Sequence, residues 1–425
     1  MHLSLRTDRA LLRSATRSTR YLHISLIAPT AEPRAGRLPV SIGIVLDRSG
    51  SMDGERKFTL ARDAVEQSIR MLRPEDRFTL VIYDQQVDTL VAATLATPEA
   101  KRLAMQRMRD VGPRGSTDLH GGWTAGAAEL SAHLTAESVN RVLLITDGLA
   151  NHGITDPARL VMLAAELRQR GIATSTFGVG EDFDERLLRD IAHEGGGQFY
   201  FIETPTQIPD LLTSELGEAL EVVCRSAVLQ VELPRGAQAE LLNTFRSTHA
   251  AGDNELLVEL GDLTSSQELS VIVRILFPIG REGEREVVRV GVGPRDHPEQ
   301  MAQSQIGWTY AGHAENDRQP RDSIVDREVA TLYAARARAE ATEANRAGDF
   351  DHARRVIEAT VRKIRGYSHG DAELERIWQT LEADARRFDE VMSPMSLKSA
   401  MYVAESTFKG RTPEGKARRS RRDAH

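Results

Sequence analysis

The chain has 425 residues, of which 28% are charged and 40% hydrophobic, and its net charge is −7 at pH 7. This length predicts two or three globular domains, and the acidic balance argues against a chain-wide nucleic-acid-binding surface. The single cysteine, Cys224, excludes an intrachain disulfide, and no apolar run is long enough to span a bilayer.

Strands and helices alternate through the first half of the chain. A buried apolar strand at residues 39–46 is followed by helical spacing of apolar residues over 57–72. The alternation continues with further predicted strands at 78–83, 141–146, 172–178 and 198–201, and helices at 98–109, 118–134, 156–169, 184–193 and 208–219. This order predicts an α/β domain over residues 37–221, with a doubly wound, mostly parallel sheet.

The segments on either side of this domain have a different pattern. Residues 222–295 alternate between apolar and polar side chains and are interrupted by turn residues, which is typical of antiparallel strands. Residues 1–36 alternate in the same way. We therefore expect the two segments to form one β-sandwich, into which the α/β domain is inserted.

The C-terminal part is predicted to be helical. Residues 320–408 contain long segments with few helix breakers. Residues 334–364 resemble one tetratricopeptide-type hairpin, but a plain helical bundle is preferred because a single repeat has no neighbour to bury its face. The tail at 409–425 is rich in arginine and lysine and is expected to be disordered.

Oxygen-bearing side chains follow two of the predicted strands. Asp47, Ser49 and Ser51 come at i, i+2 and i+4 after the first strand, and Asp147 follows the strand Arg-Val-Leu-Leu-Ile-Thr. Thr117 lies between them in Gly-Ser-Thr-Asp. Hard oxygen ligands of this kind suit Mg²⁺ or Mn²⁺. Because ligands bind beyond the carboxyl ends of parallel strands, both aspartates are predicted to lie on one rim of the sheet.

These motifs, in this order, resemble the metal-ion-dependent adhesion site of von Willebrand factor type A domains, over roughly residues 38–220. The resemblance implies that Ser49, Ser51 and Thr117 bind the ion directly. Asp47 and Asp147 would bind it directly or through water. The expected ion is Mg²⁺ or Mn²⁺, with Ca²⁺ as a third candidate. One coordination position would stay open for an Asp or Glu side chain of a partner protein.

Each motif also has a purely structural interpretation. Asp47 and the two serines after it could form a turn that caps the next helix, and Asp147 could belong to a turn after its strand. Asp118, beside the threonine, is interpreted as a helix N-cap rather than a ligand. Arg48 either faces outward toward an incoming carboxylate or is an ordinary solvated arginine.

Three functions are compatible with these features. The first is a non-enzymatic, metal-dependent protein-interaction module of a bacterial, cytoplasmic type; five arginines and no uninterrupted apolar segment in the first thirty residues support the location. The second is a non-ATPase subunit that works with a separate AAA+ ATPase in complex remodelling or metal insertion; a kinase and phosphatase system is the other partner considered. The third, a metal-dependent hydrolase, is disfavoured because no general base is evident near the motifs.

Overall fold

The computed structural model describes residues 1–31, 37–135, 138–249, 254–368 and 370–420. The chain divides into two compact units, Glu32–Val222 and Met1–Ala31 with Val223–His425. Within the described residues, no helix combines the length and the apolar character needed to cross a membrane.

Strands and helices are numbered in chain order through the described residues. The strands are β1 (His2–Thr7), β2 (Leu11–Arg13), β3 (Ser18–Ile27), β4 (Val40–Asp47), β5 (Arg77–Tyr83), β6 (Val87–Leu95), β7 (Val139–Thr146), β8 (Ile172–Val179), β9 (Gly196–Ile202), β10 (Val222–Glu232), β11 (Gln238–Leu241), β12 (Arg246–His249), β13 (Glu255–Thr264), β14 (Glu268–Phe277), β15 (Arg285–Pro294) and β16 (Ala302–Ala311). The helices are α1 (Lys57–Met71), α2 (Pro98–Arg109), α3 (Leu119–Ser131), α4 (Pro157–Gln169), α5 (Glu185–Glu194), α6 (Ile208–Leu220), α7 (His313–Arg318), α8 (Ser323–Arg346), α9 (Phe350–Ser368), α10 (Ala372–Arg387) and α11 (Pro394–Phe408).

The unit Glu32–Val222 contains a six-stranded sheet with the order β6-β5-β4-β7-β8-β9. Neighbouring strands run parallel, apart from the antiparallel pair β5 and β6. The chain leaves β4 toward β5 on one side and later returns to β7 on the other side. A topological switch point therefore lies between the carboxyl ends of β4 and β7, which is where open α/β sheets bind ligands.

Helices cover both faces of this sheet. All eight residues of β4 are buried, as expected for a central parallel strand. Ile42, Ile44 and Leu46 pack in a core cluster with apolar residues of α1 and α6. Val45 points to the other face, where α3 comes so close that a Cβ on Gly126 would lie 2.4 Å from Val45 Cγ2. The predicted α/β fold is confirmed, and the sequence analysis missed only the edge strand β6 among these strands.

The second unit contains a β-sandwich. One sheet has the order β1-β3-β14-β11 and the other the order β12-β13-β10-β15-β16-β2. β3 pairs with β1 on one side and, along its whole length, with β14 on the other. Apolar side chains of both sheets, such as Leu22, Ile24 and Val290, share one core cluster. The first 31 residues thus pair with strands more than 200 residues later, while residues 32–36 lie outside the described part of the chain.

The sandwich extends beyond residue 295, where the sequence analysis ended it. β16 pairs antiparallel with β15 and parallel with β2. The helices that follow also pack against the sandwich, because Val325 and Val329 of α8 share an apolar cluster with Ile272 of β14 and with Leu242. The helical region predicted at 320–408 therefore belongs to the same compact unit as the strands.

The basic tail differs from its expected disorder. The backbone N–H of Glu268 donates to Arg418 O at 2.9 Å, and that of Ser420 donates to Ser266 O at 3.0 Å. The Arg411 side chain is buried. Arg418 and Ser420 of the tail are thus hydrogen-bonded to residues at or just before the start of β14, which satisfies backbone groups that composition alone would leave to solvent. Residues 421–425 lie outside the described range.

Candidate metal centre

Asp47 ends β4 and is fully buried. Its Oδ1 accepts a hydrogen bond from the backbone N–H of Ser49 at 2.7 Å, and its Oδ2 accepts one from Thr146 Oγ1 at 2.6 Å. Burial penalises the charged form and raises the pKa of Asp47 to about 6, although both hydrogen bonds act in the opposite direction. A desolvated carboxylate of this kind gains more from a nearby cation than a solvated one does.

Ser49, Ser51 and Asp147 continue from this carboxylate as a chain of short contacts. The hydroxyl oxygens of Ser49 and Ser51 are 3.0 Å apart. Ser51 Oγ donates to Asp147 Oδ1 at 2.6 Å, and Asp147 is fully buried directly after β7. Four of the five predicted ligands are therefore connected at the switch point between β4 and β7.

Thr117 lies on the loop between α2 and α3 and is held by the loop after β7. Its backbone N–H donates to Asn151 Oδ1 at 2.8 Å, and its carbonyl accepts from the backbone N–H groups of Asn151 and His152 at 3.2 and 3.1 Å. A Cβ built on Gly148 would lie 3.5 Å from both Ser51 Oγ and Thr117 Oγ1. These two hydroxyls therefore face the same small space, which brings Thr117 together with the other four residues.

The donor set suits a hard divalent ion. The five side chains offer three hydroxyl and two carboxylate groups, with no thiolate or imidazole among them. Mg²⁺ and Mn²⁺ prefer such oxygen ligands, whereas Zn²⁺ is most often bound through cysteine and histidine. The residues present therefore fit the ion that the sequence predicts.

Three residues that the sequence analysis missed position the candidate ligands. Lys57 Nζ donates to Asp147 Oδ2 at 2.7 Å, while Thr146 and Asn151 make the contacts to Asp47 and Thr117 described above. No local pattern identifies them. In the sequence, Lys57 is an ordinary residue at the start of a predicted helix. Its carboxylate partner, Asp147, is 90 residues away, so no local pattern connects the two.

Both interpretations of Arg48, as a residue that faces an incoming carboxylate and as an ordinary solvated arginine, are wrong. Its side chain is 8% exposed and reaches Asp84 Oδ2 at 3.0 Å and Asp88 Oδ2 at 2.6 Å. Asp84, fully buried just after β5, also accepts from Arg114 Nε at 2.7 Å. Opposite charge nearby stabilises a buried carboxylate, which explains why both arginines turn toward Asp84. This cluster ties the loop after β4 to the loop that carries Thr117.

Asp118 is the N-cap of α3, as the sequence analysis interpreted it. Its Oδ1 accepts from the backbone N–H of Gly121 at 2.9 Å, which satisfies one of the free donors in the first turn. Its own backbone N–H donates to Asp84 O at 2.8 Å. Asp118 therefore fixes the start of α3 immediately after Thr117.

Residues 41–214 match the family model of the von Willebrand factor type A domain. An uncharacterized Escherichia coli (strain K12) protein, YfbK, is 24% identical over 289 residues, which cover 65% of this chain and 49% of that protein. An uncharacterized Synechocystis protein, sll0103, is 25% identical over 297 residues, or 68% of this chain and 69% of that protein. The chain thus spans about half the length of the E. coli relative.

Two solved structures have the same overall fold. A von Willebrand factor type A protein from Catenulispora acidiphila aligns with 98% of this chain and 97% of its own length, at a TM-score of 0.69 and 16% identity. The ArnB paralog VWA2 from Sulfolobus acidocaldarius aligns with 98% of this chain and 99% of its own, at a TM-score of 0.61 and 16% identity. At these identities the likeness concerns the fold.

Proposed function

Because this chain contains a von Willebrand factor type A domain, we propose that it is a metal-dependent protein-interaction module. One Mg²⁺ ion is held by Asp47, Ser49, Ser51, Thr117 and Asp147. The ion in turn binds an acidic side chain of a partner protein. The observation that carries this proposal is that Asp47, Ser49, Ser51 and Asp147 form a connected chain at the switch point of the sheet, and that the Thr117 hydroxyl faces the same small space as that of Ser51.

The charge of the site explains why the partner group is a carboxylate. Two carboxylates face the site, and Lys57 is ion-paired with one of them. The two carboxylates and the Lys57 ammonium together carry one negative unit, and a divalent ion makes the site positive by one unit. The hydroxyl ligands add no charge. The bound ion thus retains enough positive charge to attract an anionic side chain into an open coordination position.

The same contacts favour binding over catalysis. Both oxygens of Asp47 accept hydrogen bonds, from Ser49 and Thr146. Both oxygens of Asp147 are engaged as well, by Ser51 and Lys57. A general base needs a lone pair directed at a substrate proton. Each of these oxygens is already hydrogen-bonded within the protein, so the two carboxylates orient other ligands, balance charge and offer their remaining lone pairs to the ion.

A pull-down experiment tests this function. The full-length protein, immobilised in Mg²⁺, is expected to retain a specific partner from a lysate of its source organism and to release that partner in EDTA. The Thr117→Ala variant should retain much less of it, because a ligand of the ion is lost. Binding should also fall when acidic residues of the identified partner are replaced by their amides. Quantitative mass spectrometry of the bound fractions measures these differences.

The matched control is Ser116→Ala, which removes the neighbouring hydroxyl. The Ser116 hydroxyl contacts Gln85 Oε1 at 3.4 Å instead of facing the candidate ligands. This variant should retain the partner as the unchanged protein does. Equal retention in Mg²⁺ and in EDTA would show that the ion does not mediate binding.

A further inference from the structure

Lys57 brings a fixed positive charge into the candidate metal centre. Its Nζ donates to Asp147 Oδ2 at 2.7 Å, and its side chain is only 12% exposed. The other oxygen of Asp147 accepts from Ser51 at 2.6 Å. The ammonium is therefore bonded to the same carboxylate that is proposed to bind the ion.

The backbone before Lys57 is strained in a way that places this lysine. Glu55 and Arg56 have φ values of 52° and 60°, in the left-handed region that residues with a Cβ rarely adopt. They end the 3₁₀-helical segment Gly50–Arg56, which also contains Ser51, and directly precede α1. Strained conformations persist where surrounding contacts enforce them, and they concentrate at ligand sites and switches. The ion pair between Lys57 and Asp147 is one such contact.

We propose that Lys57 is an internal competitor of the divalent ion. In the ion-free protein its ammonium neutralises Asp147 and keeps the site ordered. When the ion binds, two cations share one carboxylate, so the ion binds less tightly than the oxygen ligands alone would allow. This inference rests on the proposed function, because it assumes that the five residues hold an ion.

The competition has a consequence for the partner. With Lys57 in place, the ion-loaded site has an excess of one positive unit, which a partner carboxylate removes. Ion and carboxylate are therefore expected to strengthen each other's binding, since the coupling free energy between two ligands is reciprocal. Lys57 would thus favour occupation of the site when both the ion and an acidic partner are present.

Calorimetric titration of Mg²⁺ into the full-length protein tests the proposal. Lys57→Met keeps an unbranched side chain, one atom shorter, and removes its charge. We expect this variant to bind Mg²⁺ about tenfold more tightly than the unchanged protein, because repulsion at close range in a partly buried site is lost. In EDTA its melting temperature should fall, since Asp147 then lacks a counter-charge. Lys57→Gln has the same expected effects if the methionine variant fails to fold.

Two further variants separate charge from packing. Lys57→Arg keeps the positive charge and should restore the low affinity. Lys101→Met is the matched control, because Lys101 is a partly buried lysine of the same unit that donates to the carbonyls of Arg70 and Leu72 at 3.3 and 2.5 Å. It should leave Mg²⁺ affinity unchanged. Equal or weaker binding by Lys57→Met would overturn the inference alone, whereas no binding by any variant, the unchanged protein included, would overturn the proposed function as well.

Discussion

Replacing Glu215 by alanine is expected to destabilise the α/β unit by about 3–5 kcal/mol. Glu215 projects from α6 and is fully buried. Its Oε1 accepts from Arg141 Nη1 at 2.7 Å and from Ser175 Oγ at 2.6 Å, and its Oε2 accepts from Tyr200 OH at 2.5 Å. One carboxylate thus joins a helix to β7, β8 and β9. Its removal leaves the charge of Arg141 in a dry environment without this partner.

Chemical denaturation followed by circular dichroism measures this loss. Glu215→Gln, which keeps the shape but not the charge, should also be strongly destabilised. Glu358→Ala is the control, because Glu358 lies on the surface and its ion pairs with Arg354 and Arg362 are 3.9 and 3.7 Å long. Exposed pairs of this kind contribute about 0–1 kcal/mol. Surface substitutions usually change the free energy of unfolding by less than about 1 kcal/mol. A free energy of unfolding for Glu215→Ala within about 1 kcal/mol of that of the control would therefore show that the buried network does not stabilise the unit.

Deleting residues 1–31 is expected to abolish cooperative folding of the sandwich. The deletion removes β1 and β3 from one sheet and β2 from the other. β14 would lose the neighbour with which it pairs along its whole length, and the facing apolar side chains would be exposed to water. Exposed strand edges beside an uncovered apolar face promote aggregation. Size-exclusion chromatography with light scattering should therefore show oligomers or aggregates instead of the species formed by the full chain.

A point substitution on β3 gives the milder form of the same experiment. Ile24 is fully buried in the sandwich core, so Ile24→Ala should cost about 2–5 kcal/mol. Thr19→Ala changes a half-buried residue of the same strand and should have a smaller effect. A truncated chain with the oligomeric state and melting temperature of the full chain would contradict the pairing of β3 with β14.

The α/β fold was predictable because its two innermost strands, β4 and β7, are mostly apolar, and a long helix follows each of them in the sequence. Every residue of β4 is buried, and a strand buried on both faces is mostly apolar. Its amino-acid composition is therefore enough to predict the strand. Asp47 and Asp147 could be placed together for the same reason, since the carboxyl ends of parallel strands share one edge. Thr117 could be included only through the order of the motifs, because its loop has no periodic pattern.

Two kinds of feature could not be read from the sequence. The strand β16 carries Gln303, Ser304 and Gln305 in its first half, so it lacks the alternation of apolar and polar residues by which its neighbour β15 was recognised. The contacts of Arg48 and Lys57 depend on carboxylates that only the tertiary structure brings near. The spacing of the motif predicts which side chains follow a strand, but it does not predict which way an arginine beside them turns.

Titration of Mg²⁺ or Mn²⁺ into the full-length protein, followed by calorimetry, is the decisive test of the candidate metal centre. We expect one ion per chain and no measurable binding by the Asp47→Ala, Thr117→Ala double variant, because a buried carboxylate and a hydroxyl ligand are both lost. The Ser116→Ala variant should bind the ion as the unchanged protein does. Undiminished affinity in the double variant would place the ion elsewhere and contradict the account.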